Sequence, residues 1–288
     1  MISNFITKLI NIKKYNFILF IIFELNIHII FGQTSVMTFN IRYDNPKDNH
    51  NRWEYRKSSV LKIFEFYSPE VIGIQEGLNN QIKYIENNLI EYNYIGVGRD
   101  DGKKKGEYAA IFYKKNKLKL ISFETYWLSE TPEMVSIGWD ASMERIVTFG
   151  EFLNLKTQES LFIFNCHFDH RGEISRENSS KLILKLIKSK NIENKKIILM
   201  GDLNCLPNSK PIETLKSKLK DSHDISVKEP YGPAGTSNGF DLDRLIKNRI
   251  DYIFTKNIKV IEHRIIDDRR DNNLFISDHL PVMAKIIY

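Results

Sequence analysis

The stretch Ile197-Ile198-Leu199-Met200-Gly201-Asp202-Leu203-Asn204 decides how the rest of the chain is interpreted. Four consecutive apolar residues and a glycine predict a buried strand that reaches its end at this glycine. Asp202 and Asn204 follow two positions apart, where the side chains of an extended chain point the same way. A carboxylate and a carboxamide presented together can orient a water molecule and bind a phosphate oxygen. Taken alone, the pair fits an ordinary polar strand end equally well, so its meaning depends on the other strands.

The length and composition of the chain are those of a globular protein. It has 288 residues, of which 42% are hydrophobic and 27% are charged, enough to bury a sizeable core in one catalytic-sized domain. The formal charge of +6 is too small to identify nucleic acid as the partner. Cys166 and Cys205 are the only cysteines, and we expect two buried thiols rather than a disulfide.

Residues 1–33 differ in kind from the rest. Three lysines, the last at Lys14, precede the apolar run 17–23, and Gly32 follows a second apolar patch. This order predicts a secretory signal peptide cleaved near Gly32, and therefore a secreted or periplasmic protein. Cleavage would remove three lysines and one glutamate, so the formal charge would fall from +6 to about +4. Glu24 interrupts the apolar stretch, which falls short of the ~20 residues of a spanning helix. A membrane anchor or a buried N-terminal helix is the alternative.

The apolar pattern after this segment predicts a layered fold. Strands and amphipathic helices alternate at first, whereas the middle of the chain reads as strands without long helices between them. This mixture of hairpins and αβ units predicts an α/β (α+β) fold, a four-layer sandwich of two packed mixed sheets flanked by helices. The expected strands are 36–39, 71–75, 109–113, 118–123, 146–153, 161–168, 197–202, 249–254, 258–266 and 282–287, and the expected helices are 58–67, 78–89 and 180–187.

Polar residues end or follow five of the apolar runs, and a sixth run contains Asp251. Strand ends gathered at one edge of a rigid sheet are places where an active site can form. The five clusters are Asn40, Glu76, His167 with Asp169, Asp202 with Asn204, and Ser277-Asp278-His279.

Together these clusters resemble the motifs of the endonuclease/exonuclease/phosphatase superfamily, which includes pancreatic DNase, abasic-site endonucleases, nocturnin-like nucleases, neutral sphingomyelinases and inositol-polyphosphate 5-phosphatases. Each motif is weak alone, but six in the family's order are specific. The resemblance covers roughly residues 35–288, and we interpret 34–288 as the catalytic domain. The motifs are Asn40, Gln75-Glu76, Asn165-Cys166-His167, Gly201-Asp202-Leu203-Asn204, Arg249-Ile250-Asp251-Tyr252 and Ser277-Asp278-His279.

The resemblance implies a Mg²⁺ site, in which Mn²⁺ could substitute. Glu76 matches the principal metal ligand, and Asn40 and Asp278 would complete or border the site. Oxygen ligands of this kind, with water and substrate phosphate, are those that Mg²⁺ prefers. Outside this set of motifs, a single glutamate at a strand end would be read as surface charge.

The resemblance also implies the catalytic roles. His279 would act as general base or polarise the phosphate, with Asp251 supporting the site or orienting a histidine. Asp202 would align or deprotonate the attacking water, while Asn204 and His167 would bind phosphoryl oxygens. A His–carboxylate pair alone could equally be a structural hydrogen bond.

One residue departs from the family pattern. Some nucleases of the family carry an acid two positions after the first asparagine, where this chain has Arg42. This weakens a two-metal interpretation and offers a cation for substrate phosphate, although a salt bridge explains Arg42 as well. Arg99 and Arg171 are further candidates for phosphate contact, with surface ion pairs as the alternative. Phe240, in the glycine-containing loop 231–243, is a candidate for the substrate cleft.

The resulting hypothesis is a metal-dependent hydrolase of phosphodiester or phosphomonoester bonds that activates water. A nuclease acting on RNA or DNA, as an endonuclease or from a 3′ end, is the first alternative; a non-catalytic binding module is the second. The expected partner is a phosphoester substrate, with nucleic acid and lipid head groups among the candidates. No stable protein partner is implied, and we expect a monomer.

Overall fold

Two six-stranded sheets pack face to face in the computed structural model, which describes residues 33–288. The predicted signal peptide therefore lies outside the described residues, except for Gln33, where the first strand begins. The strands are β1 (Gln33–Asn40), β2 (Val71–Gly77), β3 (Tyr92–Ile95), β4 (Tyr108–Lys114), β5 (Leu118–Trp127), β6 (Ile146–Asn154), β7 (Ser160–His167), β8 (Ile197–Asp202), β9 (Lys220–Asp221), β10 (Asp251–Lys256), β11 (Lys259–Ile265) and β12 (Val282–Ile287). The helices are α1 (Trp53–Tyr67), α2 (Asn79–Asn88), α3 (Glu173–Ser189), α4 (Lys210–Lys216) and α5 (Ser222–Ile225).

Both sheets are mixed, as the sequence predicts. The strand order is β11-β12-β1-β2-β4-β3 in the first sheet and β5-β6-β7-β8-β10-β9 in the second. The parallel pairs are β1 with β2 and β7 with β8, and the other neighbours are antiparallel. The prediction of an α/β sandwich of two packed mixed sheets flanked by helices is confirmed.

The strand period of two divides the core into three apolar layers. In β8, Ile198 and Met200 belong to the layer between the sheets, whereas Ile197 and Leu199 pack in the layer that includes α3. In β1, Val36 faces the other sheet, and its neighbour Met37 packs in the layer that includes α1. Strands covered on both faces are continuously apolar, which explains the unbroken run at 197–200.

The layer between the sheets becomes polar toward one end. In β8 the inward series continues from Met200 to Asp202, and the start of β10 places Asp251 directly opposite Asp202. In β7, His167 is in register with the same aspartate. Polar side chains from three neighbouring strands of the second sheet therefore meet at a single edge of the sandwich.

Gly201 makes this convergence possible. Its φ of +145° is rarely adopted by residues with a side chain, and an added Cβ would lie 1.9 Å from the carbonyl oxygen of Cys166. The glycine therefore allows β7 and β8 to approach closely just before the polar end. Cys166 and Cys205 are buried free thiols, in agreement with the expectation of no disulfide.

Among the helices of residues 33–288, none combines the length and the apolarity needed to cross a membrane.

Candidate active site

Asp202 lies at the centre of the polar edge and is almost completely buried. Its Oδ2 accepts a hydrogen bond from the Asn40 amide nitrogen at 3.0 Å and lies 3.5 Å from His167 Nε2 and 3.8 Å from His279 Nε2. Its Oδ1 accepts the backbone N–H of Asn204 at 2.9 Å. One carboxylate thus connects groups from both sheets, and every polar neighbour is held by a strand end or the loop that follows it.

Glu76 reaches the site through an irregularity in β2. The pairing of β2 with β4 shifts between Ile74 and Gly77, and Glu76 itself has a φ of +63°. A bulge of this kind re-aims a side chain at the end of a strand. The Glu76 carboxylate then accepts the Asn40 amide at 3.0 Å and the Tyr43 backbone N–H at 3.2 Å. The strained backbone therefore brings Glu76 beside Asp202, with one amide group between the two acids.

His279 forms a short pair with Asp251. Its Nδ1 donates to Asp251 Oδ2 at 2.8 Å, which turns Nε2 toward Asp202. Burial alone would lower the pKa of His279, but the carboxylates of Asp251 and Asp202 outweigh it and raise that pKa well above its ordinary value. Burial and the nearby Asp251 raise the pKa of Asp202 to about 7. The protonated imidazole of His279 therefore lies between the carboxyl groups of Asp251 and Asp202.

Asn204 and His167 form the opposite side of the site. Asn204 has a left-handed φ of +48°, and its amide nitrogen donates to His167 Nε2 at 3.2 Å and to the Phe168 carbonyl at 3.1 Å. Burial, followed by the cations Arg145 and Arg99, holds the pKa of His167 well below its ordinary value. This imidazole is therefore neutral, and it offers a hydrogen bond rather than a charge.

Arg145 is a site residue that the sequence analysis missed. Its guanidinium lies 3.3 Å from both ring nitrogens of His167, donates to His170 Nδ1 at 2.9 Å and contacts Asp169 at 3.3 Å. The residue stands immediately before β6, so it comes from the start of a strand rather than from an end. A single arginine before an apolar run is a weak signal, and only its buried position could have revealed its role.

Glu107 was likewise not predicted as a site residue. Its carboxylate accepts hydrogen bonds from both terminal nitrogens of Arg99, at 2.7 and 2.9 Å, and lies 3.8 Å from His167 Nδ1. Burial and the nearby Glu76 raise the pKa of Glu107 to about 7. Arg99, which was predicted to contact phosphate, therefore lies at the site but forms a bidentate ion pair with Glu107.

Arg42 is also held by an acid. Its Nε and Nη2 donate to the two carboxylate oxygens of Asp48 at 2.9 and 3.1 Å. Its Nη1 lies 3.9 Å from Glu76 Oε2 and 3.7 Å from Asp278 Oδ2. The salt bridge that the sequence offered as an alternative is present, and the same guanidinium also faces the two predicted metal-site acids.

These groups surround a cleft of about 410 Å³. Asn40 and Asp251 lie directly behind the residues that line it. Asp278 contacts one of these lining residues, Arg42. The cleft is lined by Arg42, Tyr43, Glu76, Arg99, Glu107, Met143, Arg145, His167, His170, Asp202, Asn204 and His279.

Two predicted substrate contacts lie away from this lining. Phe240 is half-buried and packs 5.4 Å from the guanidinium of Arg56, against the layer between the sheets. Arg171 is exposed, and its backbone N–H donates to Asp169 at 2.9 Å. Neither side chain is among those that line the cleft in the described part of the chain.

The residues present fit a divalent cation. Glu76, His167 and Asp202 place potential ligand atoms within 4.8 Å of one another, and two of the three are the hard carboxylates that Mg²⁺ prefers. Asp202, Asp251 and His279 form a second such group, but there the Asp251–His279 hydrogen bond already uses one potential ligand atom of each residue. Asn40 turns its amide nitrogen to both carboxylates while its oxygen accepts the Arg42 N–H, so its role as a ligand stays a prediction.

The comparison with known families agrees with this arrangement. Residues 37–279 match the model of the Endonuclease/Exonuclease/phosphatase family. The chain belongs to this family. Members of the family hydrolyse phosphoester bonds.

Individual relatives span nearly the whole domain. A crystal structure of a family member from Bacteroides vulgatus is 36% identical, with a TM-score of 0.83 over 88% of this chain and 98% of that one. A mannosyl-6-phosphatase from Bacteroides thetaiotaomicron is 33% identical, with a TM-score of 0.84 over 88% of this chain and 100% of that one. An uncharacterised protein of Acanthamoeba polyphaga mimivirus is 28% identical over 249 residues, 81% of this chain and 91% of its own length.

Proposed function

We propose that this protein is a Mg²⁺-dependent phosphomonoesterase that acts on a small phosphorylated sugar. The observation that carries the proposal is the shared carboxylate of Asp202, which faces an amide and two imidazoles beside the Glu76 carboxylate. The substrate class is supported by the mannosyl-6-phosphatase, which this chain covers along its full length at 33% identity.

Glu76 and Asp202 would hold the metal ion, which supplies charge neutralisation at the phosphoryl group when bound. Asp202 orients the attacking water through its buried carboxylate. Asn204 and His167 lie on the same wall of the cleft and would bind phosphoryl oxygens once substrate displaces the hydrogen bond that Asn204 donates to His167. Phosphoryl transfer needs this kind of positioning more than covalent chemistry.

The geometry favours the phosphate-polarising role of His279 over the general-base role. Asp251 fixes Nδ1, and the raised pKa of the imidazole keeps Nε2 protonated near neutral pH. A charged Nε2–H that faces the cleft can donate to an oxygen on which negative charge develops.

The charge of the cleft supports a small substrate over a nucleic acid. Its arginines are each paired with an acid: Arg42 with Asp48, Arg99 with Glu107, and Arg145 with Asp169. A nucleic-acid surface instead presents a stripe of cations that exceeds the local acids. The paired arginines therefore shape the cleft without making it strongly basic.

A substrate panel tests the proposal. The purified protein is assayed with mannose 6-phosphate, a phosphodiester, sphingomyelin, single-stranded RNA and DNA, each with Mg²⁺ and with a chelator. We expect monoester hydrolysis that the chelator abolishes and that Glu76→Gln and His279→Ala both remove. Full activity in chelator would contradict the metal dependence, and cleavage of nucleic acid without monoester turnover would establish a nuclease instead. Normal biological activity of His279→Ala would support a non-catalytic binding module.

A further inference from the structure

A second groove, of about 420 Å³, adjoins the catalytic cleft and shares Asn204 with it. It runs between the starts of α3 and α4, on the side of the site where the phosphoryl group is expected. Asn204 contacts His167 in the cleft and also lines the groove, so the two spaces meet at this residue. The groove therefore lies next to the position proposed for the phosphate.

The groove wall is rigidly connected to the catalytic edge. Arg176 donates to the backbone carbonyl of Asp169, two residues after His167, at 3.1 Å. The Asp169 carboxylate in turn accepts the backbone N–H of Gly172 at 2.7 Å, which fixes the chain just before α3. The carboxylate of Asp140 also accepts the backbone N–H of Ser175 at 2.6 Å. The first turn of α3 and the guanidinium of Arg176 are thus held at a fixed distance from the site.

Glu173 contributes an uncommitted carboxylate to this wall. Within residues 33–288 its side chain has no hydrogen bond and no ion pair. Glu177, one turn further along α3, is by contrast paired with Lys210 at 2.9 Å and with Lys181. The groove therefore offers a free carboxylate, at Glu173, beside the anchored donor Arg176.

An apolar surface completes the groove. Leu206 lines it with 51% of its surface exposed. The formal charges of the lining cancel, since Glu173 and Glu177 balance Arg176 and Lys210. No aromatic side chain of the described residues lines the groove, so it has no platform for stacking a nucleobase.

A carboxylate acceptor, a guanidinium donor and an apolar face match the two sides of a sugar ring, whose hydroxyls donate and accept while its C–H face is apolar. We propose that this groove binds the sugar portion of a phosphorylated sugar whose phosphate lies at Asn204, with Glu173 accepting hydrogen bonds from its hydroxyls. The inference rests on the proposed phosphomonoesterase function and adds the residues that recognise the leaving group.

The test compares two monoesters in the same proteins. Mannose 6-phosphate presents a hydroxylated ring, whereas p-nitrophenyl phosphate presents a flat aryl group without hydroxyls. The measured quantity is the ratio of kcat/KM for the sugar phosphate to kcat/KM for the aryl phosphate. We expect Glu173→Ala to lower this ratio about tenfold, through the KM of the sugar phosphate, because a hydrogen bond to a charged group is lost.

The matched control is Glu213→Ala, which removes an exposed glutamate from α4 outside the groove and should leave the ratio unchanged. Leu206→Ala, at an exposed position, is a second probe of the same surface and should also lower the ratio. An unchanged ratio in both groove variants, while both monoesters are hydrolysed, would overturn the sugar site alone. No hydrolysis of either monoester by the unmodified protein would instead overturn the proposed function.

Discussion

Asp202 illustrates, at the scale of one residue, how the proposed active site would be built at the expense of stability. Its carboxylate is buried next to Asp251, and these two effects raise its pKa to about 7. A raised folded pKa in an acid means that the folded state loses stability as the pH rises above the ordinary value of about 4. The site therefore holds at neutral pH a charge that the metal-free fold disfavours.

Asp202→Asn should separate these two effects. In metal-free protein at pH 7.5 we expect the free energy of unfolding to rise by about 1 kcal/mol, because the neutral amide removes like-charge repulsion. Turnover with metal should fall by a factor of roughly 10² to 10⁴, since the water-orienting group is lost. Denaturant titrations and steady-state kinetics measure the two quantities. The gain in stability should disappear near pH 4.

Asp221→Asn is the matched comparison for that substitution. Asp221 is also a buried aspartate, but it pairs with the buried Arg249 at 2.8 Å. Its loss leaves a buried cation without its acid, so we expect a destabilisation of about 3 kcal/mol. If both substitutions changed stability in the same direction, the repulsion argument for Asp202 would be wrong.

The sequence predicts where single residues lie when they end a core strand. It places Asp202 and His167 at strand ends because an apolar run stops directly before or at them, which is visible along the chain. Arg145 and Glu107 precede their strands, and their contacts with the site arise only when the sheets pack. Phe240 was predicted to line the cleft because it lies in a glycine-containing loop. In the structure it packs beside Arg56 instead, a contact that the sequence does not show.

At the scale of elements, the close approach of β7 and β8 depends on one missing side chain. Gly201→Ala should destabilise the protein by more than about 3 kcal/mol, because the new Cβ meets backbone at Cys166 and the φ of +145° is strained. Gly102→Ala is the control, since its φ is also positive, at +66°, but its nearest neighbour is a side-chain atom of Trp127 at 3.1 Å. Chemical denaturation of both variants measures the difference, and equal losses would contradict the steric explanation.

The packing of β11 against α5 predicts a pH dependence of stability. His263 is buried, its Nδ1 lies 2.9 Å from Ser222 Oγ, and burial, followed by the nearby His223, lowers its pKa to about 3. The unfolded histidine titrates near 6.5, so its contribution to stability is present above that pH and is lost progressively as the pH falls toward 3.

Between pH 7 and pH 5 this histidine should account for a loss of about 2 kcal/mol in the free energy of unfolding. His263→Gln should remove that part of the pH dependence, whereas His50→Gln, at an exposed position, should not. Denaturant titrations at the two pH values provide the measurement. An identical pH slope in unmodified protein and His263→Gln would show that the histidine titrates normally.

Strands of six or more residues and helices of ten or more could be predicted because their apolar period is visible along the chain. The short strands β3 and β9, and the helices α4 and α5 of seven and four residues, were not, since they carry too few strand alternations or helical turns to show a period. The short strands form where a longer neighbour already offers backbone partners, as β10 does for β9 and β4 for β3. Helix α1 begins at Trp53, five residues before the predicted start, with polar residues that hide its apolar face.

For the whole molecule, metal binding should be coupled to folding. A ligand that binds only the native state stabilises it by about 2.7 kcal/mol when its concentration is a hundred times its dissociation constant. We therefore expect Mg²⁺ to raise the melting temperature relative to protein in chelator, and Glu76→Gln to remove most of this rise. Glu151→Gln, on β6 and outside the cleft lining, is the control that should keep it. A melting temperature independent of Mg²⁺ in unmodified protein would count against a metal site.

The end of the first strand and the segment that enters the last strand meet at the catalytic edge. β12 lies beside β1, and the Ser277 hydroxyl donates to the Asn40 carbonyl at 2.7 Å. His279 and Asp278, on the segment that enters β12, thereby join Glu76 across some two hundred residues of chain. A fragment that ends before His279 lacks the partner of Asp251, so we expect the sugar-phosphate chemistry proposed for this protein to require segments from both ends of the domain.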